Sequence, residues 1–290
     1  MHQELERRTD MLGIMQGKLS KPLAGGIQEF PINTWEKEFE LANSLGIKVI
    51  EWTLAFKDLK INPIFDINNY NEFKALQKKH TIQIPSLTLN CFVEAPFYKR
   101  NELTGLESNV SDLIWIVDRL MHTEVKILVL PIVAECGVFN ENCLHKLISC
   151  LKSVEQILKS ANIKIAIECE FDIKSMVILL SELNPSIFGV NFDMGNSAAL
   201  GNNPEEELLV CKDRILNVHI KDRLLSGKSV KLGDGVVDFS TVANLLIDQK
   251  YKGNMILEAA RSLDKNEFEL TSSYLKFCEK LGWVEEVSVN

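Results

Sequence analysis

The feature that most constrains this chain is a beat of apolar, β-type runs set between one-sided helical stretches. Eight such runs stand at 11–16, 47–52, 82–89, 126–133, 163–168, 187–193, 215–221 and 254–259, with starts 24 to 44 residues apart. Strands separated by helix-length segments pair in parallel, each followed by a helix that packs back on the sheet. Eight of these units in 290 residues are what a single (β/α)8 barrel requires. The rival is an open doubly wound sheet, whose first strand normally runs into a G-x-G-x-x-G turn. Gly13, Gly17, Gly25 and Gly26 do not make that turn, and no Walker motif is present. No Gly/Ser-rich linker divides the chain, so the two domains suggested by length give way to an N-terminal tail over 1–10 and one barrel over 11–290.

Helix starts are written in local chemistry. Asn33 with Glu36, Thr104 with Glu107 and Asp264 with Glu267 have capping-box spacing. Asn203, then Pro204, then Glu205 to Glu207, places a cap, a proline at the first helical position and carboxylates at the positive end of the dipole. Trp35, Phe39, Ala42 and Leu45 recur at three- and four-residue steps, as do Leu144, Leu147, Ile148, Leu151, Val154 and Leu158. Such stripes are buried against a sheet and are core, not cofactor contacts.

Composition removes several function classes. The net charge of −8, from 32 basic and 40 acidic residues, has the wrong sign for a phosphate-binding face, so nucleic acid is not an expected partner. The longest apolar run, 127–134, holds Pro131 and is far short of the roughly 20 residues of a membrane span. The charged first ten residues lack the apolar stretch of a signal peptide, so we expect a cytoplasmic protein with no membrane partner. Seven cysteines, Cys91, Cys136, Cys143, Cys150, Cys169, Cys211 and Cys278, are odd in number and lack a C-x-x-C pair. Most are expected as buried small hydrophobes, not disulfides or zinc ligands.

In a (β/α)8 barrel the chemistry sits at the carboxyl ends of the strands. Read to their ends, the runs present Gln16, Glu51, Asn90, Glu168, Asp193, His219 and Glu258. Glu168, Asp193 and Glu258 at one mouth would repel one another, and a divalent cation removes that conflict. Three carboxylates and one imidazole suit Mn2+, Mg2+, Co2+ or Fe2+, and catalytic Zn2+ also accepts them. Of the five histidines only His219 lies in a strand run. Lys221 shares its face, and with Arg223, Lys228 and Lys231 could offer cations to a phosphate, although Lys228 and Lys231 read better as surface lysines. Asp222 could orient a ligand or cap a loop, and Gln16, Gly17, Lys18 and Trp52 stand near the expected pocket, Trp52 more naturally as core.

These residues carry a resemblance. Leu12-Gly13-Ile14, Leu45-Gly46-Ile47 to Glu51, Ile84-Pro85-Ser86, Ala166-Ile167-Glu168, Asp193-Met194-Gly195-Asn196, Val218-His219-Ile220-Lys221-Asp222, Gly233 to Phe239 and Ile256-Leu257-Glu258 occur in the order seen in xylose isomerase-like sugar phosphate isomerases and epimerases. Within that superfamily the chain most resembles L-ribulose-5-phosphate and L-xylulose-5-phosphate 3-epimerases. The resemblance implies that Glu168, Asp193, His219 and Glu258 bind one divalent metal, with Glu168 and Glu258 as acid and base. Gln16, Glu51, Asn90, Asn196, Lys221, Asp222 and Arg223 are the candidate contacts to a small sugar or sugar phosphate. Many relatives have a histidine where this chain has Asn196, and the phosphopentulose enzymes have a histidine and basic residues where it reads Asn90-Cys91-Phe92-Val93-Glu94.

The chemistry expected is proton abstraction alpha to a ketose carbonyl through an enediolate. Return of the proton on the other face gives an epimerase, and on the neighbouring carbon an aldose-ketose isomerase. A sugar or polyol dehydratase is the alternative, sharing the enolate-forming step. An endonuclease IV-like nuclease would need more histidines and a basic face, and a non-catalytic sugar-binding barrel would predict a broken ligand set. By analogy with the family, homo-oligomers are also expected.

Overall fold

The computed structural model describes residues 12–21, 30–66, 69–99, 108–133, 140–262 and 266–283. The first half runs β1 (Leu12–Met15), α1 (Trp35–Ser44), β2 (Val49–Thr53), α2 (Tyr70–His80), β3 (Ser86–Thr88), α3 (Cys91–Glu94), α4 (Val110–Leu120) and β4 (Ile127–Ile132). The second runs α5 (Glu141–Ala161), β5 (Lys164–Cys169), α6 (Ile173–Glu182), β6 (Phe188–Asp193), α7 (Met194–Leu200), α8 (Pro204–Cys211) and β7 (Ile215–Ile220). A short antiparallel hairpin, β8 (Asp222–Arg223) with β9 (Ser229–Val230), precedes α9 (Phe239–Asp248), β10 (Asn254–Leu257) and α10 (Glu267–Lys280).

All eight expected runs contain strands, and these close in the order β1-β10-β7-β6-β5-β4-β3-β2, every pair parallel. This is a (β/α)8 barrel. The expected helix stripes are its core: Trp35, Phe39, Ala42 and Leu45 are buried, as are Leu144, Leu147, Ile148, Leu151, Val154 and Leu158. No helix among the described residues is long and apolar enough to cross a membrane. The six described cysteines are free; Cys136 lies outside the described residues.

The differences from expectation have local causes. The third run shrinks to Ser86–Thr88 because Pro85 has no amide hydrogen for the ladder, leaving only a bridge from Gln83 to Val49. Asn33 does not cap α1; the cap position is Thr34, whose hydroxyl donates to Ser20 Oγ (2.9 Å) and not to the helix. Asn109 caps α4 in a capping box with Asp112; the expected Thr104 box lies outside the described residues. Asn266 caps α10, accepting from the Glu269 amide at 3.3 Å, and Asp264 is outside the described residues. At α8 the reading holds: Asn203 Oδ1 accepts from the Glu205 amide (2.8 Å) with Pro204 at the first helical position.

Candidate metal centre

Four strands deliver one ligand type each. Glu168 is the fifth residue of β5, Asp193 ends β6, His219 lies in β7, and Glu258 follows β10 directly, its amide tied to Ile220 O at 3.1 Å. All four are buried, and one ligand atom from each lies within 4.8 Å of the others. That span suits a single ion, since oxygen ligands stand about 2.0–2.6 Å from such cations.

Asp193 does two jobs. Its Oδ1 caps α7 by accepting from the Asn196 amide (2.7 Å), while Oδ2 accepts from Lys221 Nζ (3.1 Å). The same ammonium donates to Glu258 Oε1 (2.8 Å). Lys221 reaches both because Gly195 gives way: a Cβ there would stand 2.9 Å from Lys221 Cγ. Glu168 accepts from Asn191 Nδ2 (3.0 Å) and Asn196 Nδ2 (2.9 Å), and the Asn196 carbonyl accepts from Arg223 (2.7 Å).

His219 is fully buried between carboxylates. Nε2 lies 2.7 Å from Glu51 Oε1, and Nδ1 lies 2.7 Å from Glu258 Oε2 and 3.2 Å from Glu168 Oε2. Despite this closeness Nδ1 finds no well-directed hydrogen bond among the described residues. A buried ring nitrogen within 4.0 Å of three carboxylates suits a metal ligand once the ring is neutral, so the side chains present fit a divalent cation.

The electrostatics describe a cluster in which carboxylates outnumber cations. Burial tends to lower the His219 pKa, but Glu51 and Glu168 hold it well above the usual imidazole value. Burial pushes Asp193 up to about 7, opposed by Lys221 and reinforced by Glu168 and Glu258. Burial works the same way on Glu258, yet Lys221 and His219, with Lys18 behind them, hold it well below the carboxylate range. Four buried carboxylates, Glu51 included, face Lys221 and His219, an excess of negative charge of the sign a divalent cation neutralises.

The other candidate contacts fall in different places. Glu51 lies inside the barrel, fully buried, accepting from Ser86 Oγ (2.7 Å), Thr88 Oγ1 (2.6 Å), Asn217 Nδ2 (2.9 Å) and His219. Asp222 is also fully buried and gathers the amides of Gly233 (2.9 Å), Gly235 (2.9 Å) and Val237 (3.2 Å), shaping the loop after β9. Position 235 must be glycine for this, because a Cβ would stand 2.1 Å from Asp222 Oδ1. Arg223 pairs with Glu170 (2.5 Å) and Asn196. Gln16 Oε1 accepts from the Thr53 amide (3.0 Å), while its buried Nε2 has no partner among the described residues. Asn90 is buried at the start of α3. Lys18 is buried, donates to Ala259 O (2.8 Å), and is lowered to about 8 by burial. Burial pushes the Cys91 and Cys169 thiols up, the wrong direction for nucleophiles.

Asn191 and Asn217 escaped the reading of strand ends. Each lies two residues before a candidate ligand, on the same strand face as Asp193 and His219, and that period-two spacing is the available signal.

Comparison with known proteins extends the picture. A Haemophilus influenzae protein with the provisional name L-ribulose-5-phosphate 3-epimerase SgbU is 24% identical over 273 residues, covering 87% of this chain and 90% of its own. The crystal structure of D-allulose 3-epimerase from a Methylomonas species superposes with a TM-score of 0.73 at 16% identity, covering 93% of this chain and 97% of that one. The IOLI protein with a bound zinc atom gives the same TM-score at 15% identity, covering 95% of this chain and all of the other. The profile of the xylose isomerase-like TIM barrel family matches residues 32–280, nearly the whole barrel, and with the closed eight-strand sheet already in hand the chain belongs to that family.

Proposed function

We propose that this chain is a divalent-metal-dependent ketose 3-epimerase acting on a small ketose or its phosphate. The observation that carries the reading is the convergence of Glu168, Asp193, His219 and Glu258 at the carboxyl ends of four barrel strands. The provisional name of the Haemophilus relative and the identity of the Methylomonas enzyme favour epimerisation at C3 over other uses of the same side chains.

The four side chains would hold the ion, which supplies Lewis-acid stabilisation to negative charge developing on the ketose oxygens. Glu258, kept ionised chiefly by Lys221, has the protonation state a base needs to take a proton from the carbon alpha to the carbonyl. Each Glu168 oxygen receives one amide donor, from Asn191 or Asn196, and keeps a second lone-pair direction for a proton. The two carboxylates come from β5 and β10, which β6 and β7 separate in the barrel. They can therefore address opposite faces of a sugar: one removes the proton and the other returns it, which inverts the carbon. Burial excludes water that would otherwise protonate the carbanion at random.

The test is solvent exchange in deuterated water, followed by NMR, on a panel of ketoses and ketose phosphates with and without Mn2+. Metal-dependent deuterium at C3 with inversion is expected. Label at C1 or C2 with aldose formation would reassign the protein as an aldose-ketose isomerase, and loss of a hydroxyl would reassign it as a dehydratase.

A further inference from the structure

We propose that Glu51 is the positioning residue of the metal centre, an anion set beneath it that fixes which nitrogen of His219 faces the ion. The inference rests on the reading of Glu168, Asp193, His219 and Glu258 as ligands, and deepens it by one layer.

Glu51 lies on β2, across the barrel from the ligand strands, with no exposed surface. Its four partners are all donors: the hydroxyls of Ser86 and Thr88 on β3, and Asn217 Nδ2 and His219 Nε2 on β7. An ionised carboxylate offers about four lone-pair directions and no hydrogen, so it satisfies this set completely. The consequence reaches His219. Nε2 must carry its hydrogen toward Glu51, and the lone pair of the neutral ring is then on Nδ1, the atom that faces Glu168, Asp193 and Glu258. A second path runs from the same carboxylate. Asn217 Nδ2 also donates to Asn191 Oδ1 (2.8 Å), and Asn191 Nδ2 donates to Glu168 Oε2 (3.0 Å). Glu51 thus orients one ligand directly and a second through two amides. For stability alone, apolar side chains in place of Glu51 and its donors together would serve as well or better. The carboxylate makes sense as a device that aligns the ring and adds negative charge behind it.

The full chain is stripped of metal and titrated with Mn2+ by calorimetry and with Co2+ by visible absorption. Glu51→Gln is expected to weaken Mn2+ binding about 10- to 100-fold and to change the Co2+ band shape, while the metal-free protein keeps the wild-type circular dichroism spectrum. Thr88→Val, which keeps the charge but deletes one donor, is expected to weaken binding only about 3-fold. Wild-type affinity and an unchanged Co2+ band in Glu51→Gln overturn the proposal. Should Glu51→Gln fail to fold, wild-type affinity in both Thr88→Val and Asn217→Ala overturns it. A wild type that binds neither metal overturns both this inference and the ligand reading. Weakened binding in Glu51→Gln with no ketose exchanging deuterium supports the inference and overturns the epimerase reading alone.

Discussion

The two halves of this barrel are built from the same unit and put to different use. The half made by β5, β6, β7 and β10 carries Glu168, Asp193, His219, Lys221 and Glu258 at its carboxyl ends, charges packed within hydrogen-bonding distance of one another. Behind the half that starts with β1 and β2 sits an aromatic cluster of Phe30, Trp35, Phe39, Trp52 and Phe73. Its ring centroids are 4.9 to 6.3 Å apart, and the Trp52 indole N–H donates to Asn62 (2.9 Å). Gathering like charges costs folding free energy, while burying aromatic surface supplies it. The difference teaches that one side bears the cost of the chemistry and the other offsets it, with Glu51 reaching across between them.

The sharpest way to break this comparison is to disarm the charged half without touching the apolar one. Glu258→Gln keeps the volume and removes the proposed base, so on the epimerase proposal metal-dependent deuterium exchange should fall about 10^3- to 10^4-fold. Asp193 remains beside Lys221, Glu51 and Glu168 remain beside His219, and one of the mutually repelling carboxylates is neutralised, so the urea midpoint should correspond to a stability within about 1 kcal/mol of wild type. A variant that loses activity only because it unfolds would show that the charged half also carries the fold.

The converse experiment lies in the aromatic cluster. Trp52→Phe removes part of a fully buried ring system and leaves Asn62 Oδ1 with only the longer bond from the Ile64 amide (3.3 Å). A loss of about 2 kcal/mol is expected from the cavity and the lost indole hydrogen bond together, read by urea denaturation, with deuterium exchange per folded molecule unchanged. Exchange that falls in proportion to stability at temperatures where the variant is fully folded would mean that the two halves are not separable.

This asymmetry decides what the sequence made legible. Barrel closure and the gathering of Glu168, Asp193, His219 and Glu258 were readable because both follow from periodicity: eight strand-helix units, and a polar residue at the carboxyl end of an otherwise apolar strand. The role of Glu51 was not, and for Asp222 the sequence left ligand orientation and loop capping both open, because a strand position says which face a carboxylate takes, not how deep it lies or what it meets. Glu51 turned inward to Ser86, Thr88, Asn217 and His219, and Asp222 curled under a glycine loop, partners supplied by distant parts of the chain. The hairpin of β8 and β9 was invisible for a similar reason, since two-residue strands leave no period to detect. Helix caps fell between these cases. Asn203 was readable because cap, proline and acidic turn are contiguous, whereas Thr34 could not be foreseen to spend its hydroxyl on Ser20.

The smallest effect concerns two caps in the charged half, both behind the site. Asn203 Oδ1 caps α8, and Asp172 Oδ1 caps α6 by accepting from the Ser175 amide at 2.7 Å. Asn203→Ala should cost about 1 kcal/mol, and Asp172→Ala a comparable amount at neutral pH, with exchange activity unchanged in both. Acid separates them. The Ser175 amide holds the Asp172 carboxyl below its ordinary value, so its folded pKa lies under its unfolded one. The stability it contributes is present above the unfolded value and is lost as the pH falls through the folded one. Thermal melts from pH 7 to pH 3 should therefore show the deficit of Asp172→Ala relative to wild type shrinking, while that of Asn203→Ala, an uncharged cap, holds constant. Parallel behaviour of the two variants would mean that the Asp172 cap acts through shape alone and its charge contributes nothing.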